Sequence, residues 1–210
     1  MHVRLAAAAL LVAVAAAAAA AVVDQSQPVT DRSALPFVVG GPTNQVLSQT
    51  VTAGVSARLS AVRLPVGCLS GTLTLQVQEV SAGLPSGAAV ASQSLPAASL
   101  PPPPPEVGFR TIAIPGTPFF EAGERFALVL RSTGTCEVAA GPLGDAYPGG
   151  EAVFQDRALG PSGWLPLGPR ADLPFQTLVE ADTDRPFPPF PEDRTTGFVS
   201  VRCFLAALGP

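Results

Sequence analysis

The sequence predicts an all-β protein, an antiparallel β-sandwich of about nine or ten short strands. Apolar and polar residues alternate through residues 71–78, where Leu73, Leu75 and Val77 share one face. A period of two residues is typical of a half-buried strand. The same pattern returns along the chain between turns rich in Gly and Pro, which number 20 and 24 among the 210 residues. No segment has the apolar period of an amphipathic helix, and strands without intervening helices favour a sandwich.

Each expected strand is a short run that ends at a turn. Residues 83–87 carry turn chemistry, and residues 115–123 form a second turn that contains Phe119 and Phe120. The strands are expected at residues 45–51, 57–66, 71–78, 88–95, 107–114, 125–131, 135–140, 151–157, 172–180 and 197–205. The five prolines of residues 101–105 cannot pair within a sheet. We interpret them as a stiff extended loop, with a ligand for a proline-binding module as the alternative.

The N-terminus indicates export. Residues 5–23 are an almost pure Ala, Leu and Val run after a weakly basic start, and small residues near Ala21 suit a signal peptidase. We therefore expect a signal peptide at residues 1–21, with an uncleaved membrane anchor as the alternative, because about 19 apolar residues can span a bilayer. Residues 22–44 are expected to form a lead-in segment, and residues 45–205 the sandwich domain, interrupted by a proline-rich excursion at residues 181–196.

An exported chain permits disulfides, and this one has three cysteines. Cys68 and Cys136 each lie in a turn at the end of an expected strand, so they are the predicted pair. Closing that loop would stabilise the fold by about 4 kcal/mol in the chain-entropy model. Cys203 is expected to be a small buried hydrophobe within the last strand.

Composition excludes several classes of function. The only histidine is His2, inside the expected signal peptide, and the chain has no Lys. Serine or cysteine hydrolases that use His are therefore excluded, as are Lys nucleophiles and zinc sites built on His. A net charge of −4 argues against nucleic-acid binding. The remaining enzyme class is a carboxylate-dependent glycosidase, and we expect a protein without enzymatic activity.

Residues 141–177 hold the candidate binding site. Tyr147 and Trp164 are the only aromatic residues besides Phe, and they are predicted to form a platform for a sugar ring, with Asp145 and Gln176 as polar partners. The alternative is that both rings close one end of the sandwich and bond backbone groups.

A metal site is the second expectation for the same region, although no cofactor is required. Asp145, Glu151 and Asp172 carry the oxygen ligands that calcium prefers, so a structural calcium ion is conceivable there. Their spacing matches no calcium loop, and turn capping by Asp is the alternative role.

Strand and turn motifs across residues 45–180 resemble those of secreted bacterial jelly-roll modules, similar to galactose-binding-like and carbohydrate-binding domains. The motifs are residues 70–77, 83–87, 121–130, 147–150 and 172–175. The resemblance implies a jelly-roll sandwich that binds an extracellular glycan and often holds a structural calcium. The alternative function is a cell-surface structural or protein-interaction domain, with residues 101–105 and 181–196 as contact segments. Membrane association is expected only if the N-terminal segment stays uncleaved.

Overall fold

A computed structural model of the chain describes residues 21–103, 108–156, 163–168 and 171–180. These residues form fourteen strands and one short 3₁₀ turn, Ala97–Ser99. The strands are β1 (Val22–Gln27), β2 (Phe37–Gly40), β3 (Val46–Thr52), β4 (Ala57–Leu64), β5 (Val66–Cys68), β6 (Thr72–Ser81), β7 (Leu84–Pro96), β8 (Arg110–Ala113), β9 (Phe119–Phe120), β10 (Arg125–Ser132), β11 (Thr135–Val138), β12 (Ala152–Gln155), β13 (Leu165–Pro166) and β14 (Phe175–Glu180).

The strands pair into three antiparallel sheets. The first sheet has the order β1-β14-β4-β8, with β9 also paired to β4. The second sheet has the order β13-β12-β3-β10-β6-β7, and the third has the order β2-β11-β5. Every pair is antiparallel, so the predicted all-β, antiparallel β-sandwich is confirmed.

The core lies between the sheets, because alternate residues of each strand face inward. From the second sheet, Leu47 and Val51 of β3 and Leu128 of β10 are buried in one cluster. Phe175 and Val179 of β14 join that cluster from the first sheet. The face that holds Leu73, Leu75 and Val77 is fully buried, as the alternation predicts.

The predicted disulfide is confirmed. Cys68 of β5 and Cys136 of β11 are direct partners in the third sheet, their Cα atoms are 3.9 Å apart, and their sulfur atoms are bonded. The bridge links residues 68 positions apart and fixes the pairing of two short strands. Cys203 lies outside the described residues.

Each of the nine strands predicted within the described residues overlaps a strand of the structure, but the boundaries of several differ. Residues 22–44 are more than a lead-in segment, because β1 pairs with β14 and β2 pairs with β11. Phe119 and Phe120 form β9 within the expected turn. The turn that closes the hairpin is Ala82-Gly83, since Ser81 pairs with Leu84, and β7 therefore begins earlier than predicted.

Other predictions fall partly or wholly outside the described residues. Residues 1–20 of the expected signal peptide, the excursion at residues 181–196 and the expected strand at residues 197–205 are among them. The described prolines, residues 101–103, form no strand, and the backbone N–H of Cys68 donates to the carbonyl of Pro101. Within the described ranges, no helix is long and apolar enough to cross a membrane.

Candidate functional site

Tyr147 is part of the protein interior. Its side chain is 7% exposed, and its ring meets the ring of Phe175 edge to face, with centroids 5.0 Å apart. The hydroxyl accepts from the backbone N–H of Thr52 at 3.1 Å and lies within donating distance of Gln25 Oε1 (3.1 Å) and the Thr52 carbonyl (3.2 Å). A ring held in this way is packed into the interior, which favours the alternative that Tyr147 closes one end of the sandwich and bonds backbone groups.

Trp164 lies on a different surface from Tyr147. It is partly exposed and packs against a small cluster formed by Val46, Ala127 and Val129. Those side chains alternate with the core residues of β3 and β10, so this cluster is on the outer face of the second sheet. Tyr147 and Trp164 therefore do not form one surface.

The two predicted polar partners are also separated. Asp145 has an exposed side chain in the loop before Tyr147. Gln176 is on the outer face of the first sheet, between the inward-facing Phe175 and Thr177, and its amide donates to Ser26 Oγ at 3.3 Å. Of the four predicted ligand contacts, Asp145 lines a cleft.

That cleft, here called the acidic cleft, has a volume of about 530 Å³. It opens beside β12 and β13, between the loop that precedes β12 and the segment that precedes β14. Its lining residues are Asp145, Gly150, Glu151, Ala152, Pro166, Gly168, Ala171 and Asp172. The three carboxylates predicted as metal ligands thus line one cleft, although they are far apart in sequence.

The loop that precedes β12 packs closely against β3, and this packing shapes one side of the cleft. A Cβ on Gly150 would overlap the carbonyl oxygen of Thr50, so only glycine allows the backbones to approach this closely. The hydroxyl of Thr50 accepts from the backbone N–H of Glu151 at 2.9 Å. The backbone of Glu151 is therefore fixed, while its side chain is exposed.

Asp172 forms the inner wall of the cleft and is only 2% exposed. Its Oδ2 accepts from the backbone N–H of Tyr147 at 2.9 Å, and its Oδ1 accepts from the amide of Gln49 at 3.0 Å. The Gln49 carbonyl oxygen in turn accepts from the backbone N–H of Leu173 at 2.8 Å. Burial raises the pKa of the Asp172 carboxyl above its ordinary value of 3.8, and the bonds from Tyr147 and Gln49 oppose this rise.

These contacts give Asp172 a structural role. Both of its oxygens are already bonded to the protein, and they tie the Tyr147 loop to β3. Within the described ranges, no three acidic or cysteine side chains are grouped closely enough to hold a metal ion. Asp145, Glu151 and Asp172 share a cleft without forming a ligand cage, so the predicted calcium set is not assembled in this conformation.

A second cleft lies on the side of the sandwich where β7 and β9 approach each other. We call it the Phe119 cleft; its volume is about 570 Å³. It is lined by Glu79, Val80, Gly83, Val90, Pro118, Phe119, Phe120, Glu124 and Arg125. Sequence reasoning missed it because Phe119 and Phe120 stand in a segment read as a turn. The only signal was two adjacent aromatic residues between a Pro and an acidic turn.

The chain matches no protein-family model, and no curated protein is similar to it in sequence.

Proposed function

We propose that the protein is an exported binding module with a jelly-roll-like sandwich, and that it binds a glycan in the acidic cleft without transforming it. The observation that carries the proposal is the convergence of Asp145 and Glu151 at one open cleft, above the fixed wall formed by Asp172. Exposed carboxylates accept hydrogen bonds from sugar hydroxyls, and bonds to a charged acceptor are the stronger kind. The Cys68–Cys136 disulfide is compatible with an extracellular location.

Trp164 extends the proposed site. It stands two residues before Pro166, which lines the acidic cleft, and it remains partly exposed on the outer face of the sheet. A flat indole two residues from the cleft wall would suit a sugar, which has an apolar ring face and polar hydroxyls. Asp145 and Glu151 would fix the hydroxyls, and Trp164 would add apolar contact.

The test is binding of the chain from Val22 onward to a panel of polysaccharides and arrayed glycans. The variant Glu151→Gln removes one charged acceptor and keeps the shape, so we expect about tenfold weaker binding, the equivalent of one charge-assisted hydrogen bond. Glu137→Gln, on β11 and away from the cleft, is the matched control and should bind as the parent chain does. Trp164→Ala should fold and yet lose retention on the panel.

Each remaining outcome is decisive. Equal binding by Glu151→Gln and Glu137→Gln would remove the acidic cleft from the proposal. Loss of folding in Trp164→Ala would assign that ring to the packing of the sheet. A parallel series with calcium and with a chelator separates direct hydrogen bonding from binding through a calcium ion, in which case the chelator would abolish retention.

The same cleft supports one alternative function. Asp145 and Glu151 have exposed side chains at one opening, and a pair of carboxyl groups at one cleft is what carboxylate-dependent glycosidases use. Incubation with each retained glycan, followed by a reducing-sugar assay, distinguishes the two functions. Release of sugar that Glu151→Gln abolishes and Glu137→Gln preserves would replace the binding module with a glycosidase.

A further inference from the structure

The acidic cleft and the Phe119 cleft lie at the same end of the second sheet. β10 begins there at Arg125, whose pairing partner Thr52 is the last residue of β3. β12 begins at Ala152, beside the same end of β3, and β6 reaches this end at Glu79, which pairs with β10. Ala152 lines the acidic cleft, and Glu79 lines the Phe119 cleft. β12 and β6 are three strand spacings of about 4.8 Å apart, so the clefts are separated by about 14 Å.

Arg125 lies between the two clefts. Its neighbours Phe126 and Leu128 face the core and a solvent-facing residue precedes them, so Arg125 is on the outer side, where its side chain is exposed. Arg125 lines the Phe119 cleft, and its guanidinium donates to Thr50 Oγ1 at 3.3 Å. The same hydroxyl oxygen accepts from the backbone N–H of Glu151 at 2.9 Å, and Glu151 lines the acidic cleft. One exposed cation is therefore bonded into the border between the two clefts.

The Phe119 cleft presents acceptors and donors around an apolar surface. Glu79 and Glu124 have exposed side chains and supply carboxylate acceptors, and Arg125 supplies guanidinium donors. The half-buried ring of Phe119 and the side chain of Val80 supply the apolar surface. An anion would meet carboxylates here and a cation would meet the guanidinium, whereas a neutral ligand with hydroxyl groups can use both. A sugar, which also has an apolar ring face, fits this chemistry.

We propose that a linear, uncharged polysaccharide lies across Arg125 and occupies both clefts at once. This inference rests on the proposed function and adds to it a second binding region and a minimum length of glycan. One part of the polysaccharide bonds Asp145 and Glu151 in the acidic cleft, and another part stacks on Phe119. The cleft volumes, about 530 and 570 Å³, are each within the usual range for small-molecule sites.

A length series of oligosaccharides tests the proposal. A polysaccharide that the protein retains is partially hydrolysed, its fragments are separated by length, and each fraction is titrated into the protein in a calorimeter. Short fragments reach one cleft, whereas fragments that extend beyond about 14 Å reach both. We expect the affinity to rise by at least about tenfold once a fragment reaches the second cleft, because that contact is then intramolecular, and to level off afterwards.

Two variants remove the second cleft from the site. Phe119→Leu keeps an apolar side chain and removes the flat ring, and Arg125→Gln removes the cation while Thr50 Oγ1 keeps its bond from Glu151. In both variants the gain in affinity with fragment length should disappear, whereas Glu151→Gln should weaken binding of short and long fragments alike. Arg110→Gln, at an exposed arginine on β8 of the first sheet, is the matched control and should keep the parent length dependence.

Backbone amide NMR gives a readout that needs no substitution. The amide signal of Glu151 should shift with fragments of every length. The amide signals of Phe119 and Val90, which line the other cleft, should shift only with fragments long enough to reach it. Shifts confined to the acidic cleft at every fragment length would reject the extended site.

The outcomes separate this proposal from the one on which it rests. If the protein retains no polysaccharide, the proposed function fails and the extended site fails with it. If Glu151→Gln weakens binding but affinity does not depend on fragment length, the acidic cleft binds alone and only the extended site is overturned. An equal gain with length in Arg125→Gln and Arg110→Gln overturns it as well, and this pair decides the matter even if Phe119→Leu does not fold.

Discussion

The Asp172 side chain is almost completely buried. One carboxylate oxygen accepts a hydrogen bond from the backbone N–H of Tyr147, and the other accepts one from the side-chain amide of Gln49. Because burial raises its pKa, the folded protein keeps the Asp172 proton at pH values where the unfolded chain has released it. The unfolded state then binds fewer protons, so the free energy of unfolding falls as the pH rises from about 3.8 through the raised pKa. Above that range the contribution is constant.

The variant Asp172→Asn tests this linkage, because asparagine resembles the protonated acid in shape and has no charge to desolvate. We expect its stability relative to the parent chain to increase as the pH rises through the window that begins near 3.8. Urea unfolding at several pH values measures the difference. Glu137→Gln serves as the control, and a stability difference for Asp172→Asn that does not change with pH would contradict the expectation.

Single residues were the least predictable part of the site. The composition marks Tyr147 and Trp164 as distinctive, but it does not show on which side of a sheet each ring falls. The neighbours of Tyr147 decide its place: Phe175 meets its ring, and Thr52 and Gln25 bond its hydroxyl. Those partners are 28 or more positions away in the chain, so only the folded topology brings them together. Asp145, Glu151 and Asp172 were named from the sequence as candidate calcium ligands, and the structure places all three at one cleft without grouping them into a ligand cage.

The β6–β7 hairpin has an unfavourable residue, Ala82, in its turn. Ser81 pairs with Leu84, which leaves a two-residue turn, and Ala82 and Gly83 have φ values of 51° and 82°. A turn with two positive φ values favours Asn-Gly, because its twist matches that of the strands. Alanine at such a position costs about 1–2 kcal/mol.

Ala82→Asn should therefore raise the free energy of unfolding by about 1 kcal/mol. Urea unfolding measures the change, and the dependence on urea should stay constant, since the surface exposed on unfolding is the same. Ala89→Asn, an equivalent substitution in the extended part of β7, should give no gain. A decrease for Ala82→Asn would show that the turn tolerates alanine better than its backbone angles indicate.

Strands in which apolar and polar residues alternate regularly could be predicted from the sequence, and strands without this alternation could not. β6 and β10 bury one apolar face against the core, and their period is visible in the sequence. β1 and β2 were missed because Asp24, Gln25 and Gln27 interrupt the apolar pattern of the first and Pro36 precedes the second. β1 is a strand because β14 offers it a partner, and its polar residues are used in bonds, as when the Gln25 N–H donates to Thr177 Oγ1 at 3.0 Å. Long-range pairing of this kind has no local signature.

At the scale of the whole molecule, β1 connects the edge of the first sheet to the candidate site. It pairs with β14 from Val22 to Gln27, and its Gln25 bonds the Tyr147 hydroxyl. Tyr147 in turn bonds Asp172 through its backbone N–H, and Asp172 lines the acidic cleft. The conformation of the cleft wall therefore depends on β1, the first strand of the described chain. Cleavage near Ala21, the predicted site, would leave that strand whole.

Two truncated chains test this dependence, one that begins at Val22 and one that begins at Pro28. The shorter chain loses the pairing of β1 and the bonds that Gln25 makes with Thr177 and Tyr147, so we expect it to be less stable by about 2–4 kcal/mol and to bind the glycan panel more weakly. Gln25→Ala in the longer chain isolates the side-chain bond to Tyr147 and should cost about 1 kcal/mol. Equal urea midpoints for the two truncated chains would mean that the Tyr147 loop is held without β1, since β14 would then have lost its edge partner at no cost.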